Sequence, residues 1–159
     1  MIIVPLTKDL TNNAGLAALS KAHLKMQSDK FNFPDPDEVD YDWTSDRFPI
    51  VRYLRSGLVK GFALLDDNDM VQGYVIFITD MNIITGAAVL KVIAVIVATP
   101  YVHSIWAGRL INRVKQYAQE NKIKAICWSI NTDNPGEELF NKHQDRYKLI
   151  DKSYLELLG

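Results

Sequence analysis

The sequence holds a single cysteine, Cys127, with three histidines, six prolines and eight glycines in 159 residues, and each shortage closes a class of protein. One thiol cannot build an intramolecular disulfide, a Cys-x-x-Cys redox pair or a thiolate zinc site, which fits a reducing intracellular compartment. Few prolines and glycines, with 48% hydrophobic and 23% charged residues, describe a folded domain rather than a disordered or collagen-like chain. Neither charge sign is in excess. With 18 basic against 19 acidic residues, a net charge of -1 exerts no global pull on nucleic acid or anionic membrane, and neither is expected as a partner. No apolar run approaches the roughly 18 residues of a membrane span. The opening "MIIVPLTKDL" has no basic flank and a very short apolar run, unlike a secretory leader, so the expected location is the cytoplasm. There is no G-x-G-x-x-G for a dinucleotide and no G-x-x-x-x-G-K-[ST] for a nucleoside triphosphate. The acids at 66–69 lack the late bidentate Glu of a calcium loop, and no metal is expected.

What is present has the length of one domain, 1–159. "IIVPL" is a short β-branched strand. Thr11, Asn12 and Asn13 offer helix-capping chemistry ahead of Leu16, Leu19, His23 and Met26, which share one helical face. His23 on that face reads as a partly buried packing residue. Residues 31–46, "FNFPDPDEVDYDWTSD", carry six carboxylates and no base, and form an irregular acidic loop. It is either a solvated connection or a cation-recruiting lip anchored by Tyr41 and Trp43.

Ser45 and Asp46 then cap a second helix with Pro49 in its first turn and Phe48, Val51, Leu54 and Leu58 on its inner stripe, closed by Gly57 and Gly61. "FALLDDNDMVQGYVIFIT" reads as a hairpin turning at Asp66–Asp69. "AAVLKVIAVIVAT" is too continuously apolar for a surface strand and reads as a central one. A helix from Ser104 to Asn121 turns Trp106, Leu110, Val114 and Tyr117 or Ala118 inward and leaves Arg109, Arg113 and Lys115 outside. "KAICWSIN" adds a strand, Pro135 opens a short helix, and "YKLIDKSYLELL" closes with strand character. The predicted order, β-α-α-β-β-β-α-β-α-β, is an α/β or α+β layout, antiparallel at first and ending in a β-α-β crossover.

The stretch where the central strand runs through Pro100 into the long helix admits two readings. A helix start directly after a strand presents free N–H groups backed by the helix dipole, an anion site. There Ser104, Ala107 and Gly108 let a ligand approach the backbone, and His103, Arg109 and Arg113 supply charge. The other reading is that the small residues only let the helix pack on the sheet.

The element order and the segments "VIAVIVATP", "YVHSIWAGRLI", "AICWSIN" and "NPGEELFNKH" resemble the GNAT family of acyl-CoA-dependent N-acyltransferases over most of the chain, most strongly from Val89 to His143. The resemblance implies a mixed central sheet flanked by helices and a Q/R-x-x-G-x-G/A loop opening the helix. One register places Val102, Ile105 and Ala107 at the Arg, first Gly and second Gly/Ala positions, and another places His103, Trp106 and Gly108 there. It implies acetyl-CoA as co-substrate, held by 95–97 (Val95, Ile96, Val97), by His103, Ser104, Ile105, Trp106, Ala107, Gly108 and Arg109, and by Asn134.

The acceptor it implies is a primary amine, and with an acidic loop on the acceptor side, a cationic one. The late-helix Tyr that protonates the departing thiolate in many members falls at Asn141, which leaves His143 or Tyr147 as acids. No Glu or Asp occupies the central strand. A GNAT-like domain without catalysis, serving as a binding or structural module, is the alternative. Strand edges in this fold class often pair into homodimers.

Overall fold

The computed structural model describes residues 1–31, 49–81, 85–129, 141–143 and 145. Contacts divide the chain into two compact units, Met1–Ser129 and Ile130–Gly159, and the fold described is that of the first. The acidic segment and its Tyr41 and Trp43, the caps Ser45 and Asp46, and Phe48 fall outside the described residues.

Within the first unit the elements are β1 (Ile2–Pro5), α1 (Ala14–Phe31), α2 (Pro49–Ser56), β2 (Lys60–Leu65), β3 (Val71–Met81), β4 (Ala88–Val97), α3 (Ile105–Glu120) and β5 (Ala125–Trp128), with single turns of 3-10 helix at Lys8–Leu10 and Thr99–Tyr101. As far as β5 this is the expected order; the short helix expected from Pro135 to Phe140 and the closing strand expected over 147–158 fall outside the described residues. The five strands form one sheet in sequence order. β1 to β4 are antiparallel neighbours and β5 lies parallel to β4, because α3 carries the chain back across one face before β5 begins. Among the described residues no helix is long and apolar enough to cross a membrane.

Each face of the sheet has its own core. On one, Leu16 of α1 and Val51 and Leu54 of α2 bury against Ala63, Leu65, Val71, Tyr74 and Ile76; on the other, Leu110, Val114 and Ala118 of α3 bury against Phe62, Val75, Phe77, Leu90 and Val92. The period-2 alternation of β3 sends Tyr74 and Ile76 one way and Val75 and Phe77 the other. That makes β3 the covered middle of the sheet, whereas β4, expected to be central, lies beside it and buries only Leu90 and Val92 fully.

Asn13 ties the first helix to the hairpin. Its Oδ1 accepts from the N–H groups of Gly15 (3.0 Å), Leu16 (3.4 Å) and Val71 (3.1 Å), while its Nδ2 donates to the Asp69 carbonyl at 2.8 Å. The side chain therefore caps α1 and holds the start of β3 at once.

Three expectations need correction. Gly57 ends α2, in the left-handed region at φ 75°, but Gly61 lies within β2, where a Cβ would sit 2.2 Å from the Val75 carbonyl oxygen. Leu58 follows the helix end and is exposed. Arg113 and Lys115, both expected outside, are half-buried; the Arg113 guanidinium carbon stands 4.5 Å from the Phe62 ring centroid. Arg113 Nη1 is 3.5 Å from Glu120 Oε2, close enough for an ion pair, yet forms no hydrogen bond. The contact is best read as Coulombic, with the aromatic ring as the main support.

A candidate acyl-donor cleft beside the central strand

β4 is regular only at its start. Ile76 pairs with Ala94 and Phe77 with Val92, so Ile93 is an extra residue with no partner on β3, a β-bulge. Its first consequence is a change of face. Leu90 and Val92 point to the α3 side, and strict alternation would send Val95 and Val97 to the opposite side; with one residue inserted, both pack on the α3 side again, while Ala94 and Ile96 turn toward α1.

The second consequence concerns the backbone. The parallel ladder between β4 and β5 runs from Val89–Ala125 to Val92–Trp128 and ends there, one residue before the bulge. Beyond that point, the Ala98 N–H donates to the Gln72 carbonyl at 2.8 Å, which marks 98–72 as a hydrogen-bonded pair of the β3–β4 ladder. By the alternation of antiparallel pairs, Ile96 also spends its backbone on β3, whereas Val95 and Val97 direct N–H and C=O away from it. Those two residues face a side of β4 where, among the described residues, no strand partners them. Of 95–97, then, Val95 and Val97 offer backbone groups and Ile96 does not. All three are half-buried.

The chain leaves Val97 through the 3-10 turn at Thr99–Tyr101 and enters α3 at Ser104. Ser104 is the N-cap. Its N–H donates to the Tyr101 carbonyl at 3.0 Å, its hydroxyl donates to the same carbonyl at 2.7 Å, and its Oγ accepts from the Trp106 N–H at 3.2 Å. Of the four N–H groups that open a helix, two are thus satisfied, and those of Ile105 and Ala107 have no acceptor among the described residues.

Around them the side chains divide by size. Gly108 is exposed, and a Cβ there would meet nothing within 4 Å. Ile105 is 68% exposed. Trp106 is half-buried and carries the Arg109 guanidinium over its ring at 4.5 Å, which holds the cation beside the helix start. His103 is exposed in the turn before the cap. The open Gly108 leaves the backbone accessible beside the two N–H groups; where glycines would admit closest approach, Ile105 and Trp106 stand instead.

The late segment contributes less. Asn141 and His143 are exposed and belong to the second unit. Asn134 and Tyr147 lie outside the described residues. Two features escaped the sequence reading. The bulge has no signature in a run where every residue from Val92 to Val97 is apolar. The other is an ion pair on the opposite face, Lys91 Nζ to Asp80 Oδ2 at 2.6 Å, legible only once the strand register is known. Asp80 also accepts the Met81 N–H at 2.8 Å; the lysine contact, then that backbone bond, hold its carboxyl below the usual carboxylate range, and the same pair raises Lys91.

No protein-family model matches the sequence, and no curated protein matches it. Solved structures do match. A ribosomal-protein-alanine N-acetyltransferase from Brucella melitensis biovar Abortus 2308 superposes with a TM-score of 0.71 at 17% identity, covering 99% of this chain and 100% of that one. An aminoglycoside acetyltransferase from an uncultured soil metagenomic sample, solved with sisomicin, gives 0.70 at 16% identity over 99% and 96%. A mutant of the BH1408 protein from Bacillus halodurans gives 0.72 at 15% over 99% and 100%. At these identities the likeness is one of fold: this chain has the fold of the GNAT acetyltransferases, a mixed sheet flanked by helices.

Proposed function

We propose that this chain, as one GNAT-like domain over 1–159, is an N-acetyltransferase that moves an acetyl group from acetyl-CoA to a primary amine. The observation that carries the reading is the side of β4 beyond the β4–β5 ladder, where Val95 and Val97 present backbone groups that have no partner among the described residues, next to a helix start with two N–H groups likewise without an acceptor among them and an open Gly108. A thioester lying along β4 finds strand-like hydrogen-bond partners there. A pyrophosphate at the first turn of α3 meets the Ile105 and Ala107 N–H groups, with Arg109 and His103 adding charge.

In this reading the acceptor's ammonium first gives a proton to water, the free amine attacks the thioester carbonyl while the Val95 N–H receives the developing oxyanion, and the C–S bond breaks as the thiolate takes up a proton and the proton left on the new amide nitrogen passes to water. Two reactants held at attack distance account for up to about 7–11 kcal/mol of barrier lowering, so a dedicated base is less necessary, in keeping with a central strand free of acids. His143 or Tyr147 supplies the proton to the thiolate in place of the family's tyrosine, at whose position Asn141 stands. The six carboxylates of 31–46 support an acceptor that reaches the site as a cation.

The test is release of free CoA thiol from acetyl-CoA on adding primary amines. Amine-dependent release, with the N-acetylated amine found by mass spectrometry, is the expected result. Tight acetyl-CoA binding with no release from any amine would point instead to a domain that binds without catalysis.

A further inference from the structure

Beyond Val92 the partner of β4 changes. As far as the row Val92–Trp128 that partner is β5, and past it no strand among the described residues pairs with β4 on this side. A donor arm hydrogen-bonded to Val95 and Val97 takes the place that β5 vacates, and the fold fixes which way round it lies. The 3-10 turn at Thr99–Tyr101 puts the start of α3 shortly after Val97. The phosphates therefore mark the Val97 end, and the acyl group points the other way, toward Val92. Its tip and the last paired residue of β5 meet head on, and that residue is Trp128.

The register gives the room between them. Val95 lies opposite Val75 and Val92 opposite Phe77. Measured along β3, which has no inserted residue there, the row of a thioester carbonyl held by the Val95 N–H is two residues from the row of Trp128, about 7 Å. A carbon in contact stops about 3.5–4.0 Å short of what it touches, which leaves about 3 Å, the length of roughly two carbon–carbon bonds. Side chains then decide whether a longer group can turn aside. Trp128 shares the α3-side face with Val92, Val95 and Val97, and all of them pack in the core under Leu110 and Val114. It is the largest side chain of β5 and only half-buried, so the core does not use the whole of its surface.

We infer that Trp128 sets the length of the acyl group: the donors taken are the acetyl and propionyl thioesters of CoA, and longer acyl groups are stopped by its indole at the end of the β4–β5 ladder. The inference rests on the donor reading above and narrows it to a class of donor. A smaller residue at 128 leaves the strand pairing in place and opens the α3-side face where the acyl tip ends, so longer thioesters enter.

The test is calorimetric titration, with no amine present, of CoA and of its acetyl, propionyl, butyryl and hexanoyl thioesters. For wild type the acetyl and propionyl thioesters are expected to bind within about threefold of each other and the hexanoyl thioester at least about tenfold more weakly than the acetyl. Trp128→Ala is expected to bring the hexanoyl-to-acetyl ratio within about threefold, and Trp128→Phe to keep most of it. Free CoA, which has no acyl group, shows whether a variant still forms the donor site; if Trp128→Ala no longer binds it, Trp128→Leu takes its place. Hexanoyl-CoA bound by wild type as tightly as acetyl-CoA, or discrimination that persists in an alanine or leucine variant that binds CoA, overturns the inference. The two failures are distinct: if CoA binds wild type and acyl length has no effect, only the size assignment falls; if CoA does not bind wild type, the donor reading falls and takes this one with it.

Discussion

Ser20 of α1 and Tyr74 of β3 are the deepest polar pair of the α1-side core, 3% and 2% exposed, with their hydroxyls 3.0 Å apart. Tyr74→Phe removes one hydroxyl and leaves the other buried without its partner, at a cost of about 1–3 kcal/mol. Removing both, as Ser20→Ala with Tyr74→Phe, leaves no orphan, so the double variant is expected to be less destabilised than the two single costs added together, with a coupling of about 1 kcal/mol. Urea denaturation of the four proteins in the cycle measures this, and the thermal midpoint of Tyr74→Phe is expected to fall by about 2–12 °C for a chain of this size.

The same phenol supplies a second, independent readout. Burial pushes its pKa up to about 12, against the hydrogen bond with Ser20, which lowers it. A raised folded-state pKa gives stability that is whole below the unfolded value near 10 and is lost as pH rises through the folded one. Wild type should therefore lose stability between about pH 10 and 12 more steeply than Tyr74→Phe. Additive single-mutant costs, together with identical alkaline profiles, would refute the reasoning.

Two further perturbations test how the fold is held. His23 is half-buried on α1 and burial lowers its pKa, so the unfolded chain binds the proton more readily; wild type should lose stability as pH falls through about 6.5, and His23→Gln should flatten that loss in melts between pH 7.5 and 5. Gly61→Ala drives a Cβ to 2.2 Å from the Val75 backbone oxygen between two paired strands, where no side chain can yield, and should cost about 1–3 kcal/mol in urea denaturation; a variant as stable as wild type would show that β2 and β3 can part at that point.

The order of elements was legible because their periods are strong. The alternation around Asp66–Asp69 and the stripe of Leu110, Val114 and Ala118 each leave little choice of element, and both stand in the structure. The cleft was half legible. The turn at Pro100 and the Ser104 cap mark where α3 begins, but which backbone groups face the cleft depends on the Ile93 bulge, and a continuous apolar run hides an inserted residue. Arg113 was misjudged because a guanidinium can lie over an aromatic ring that only tertiary contact brings near. Lys91 passed unnoticed for a related reason: a lysine in a strand has no visible partner until the register places it beside Asp80.

The central claim is that the start of α3 and the open side of β4 receive the phosphates and pantetheine arm of acetyl-CoA. Gly108→Glu tests it cleanly. The new side chain enters open space, a glutamate in the first turn of a helix is favoured by the dipole, and any stability change should be small or positive. Its carboxylate nevertheless stands where the phosphates must approach the Ile105 and Ala107 N–H groups. Calorimetric titration should give saturable binding of acetyl-CoA and of desulfo-CoA to wild type, and at least a tenfold loss of both, about 1.4 kcal/mol, in a Gly108→Glu protein of unchanged melting temperature. Equal affinity in the two proteins, or no binding to wild type, would contradict the account.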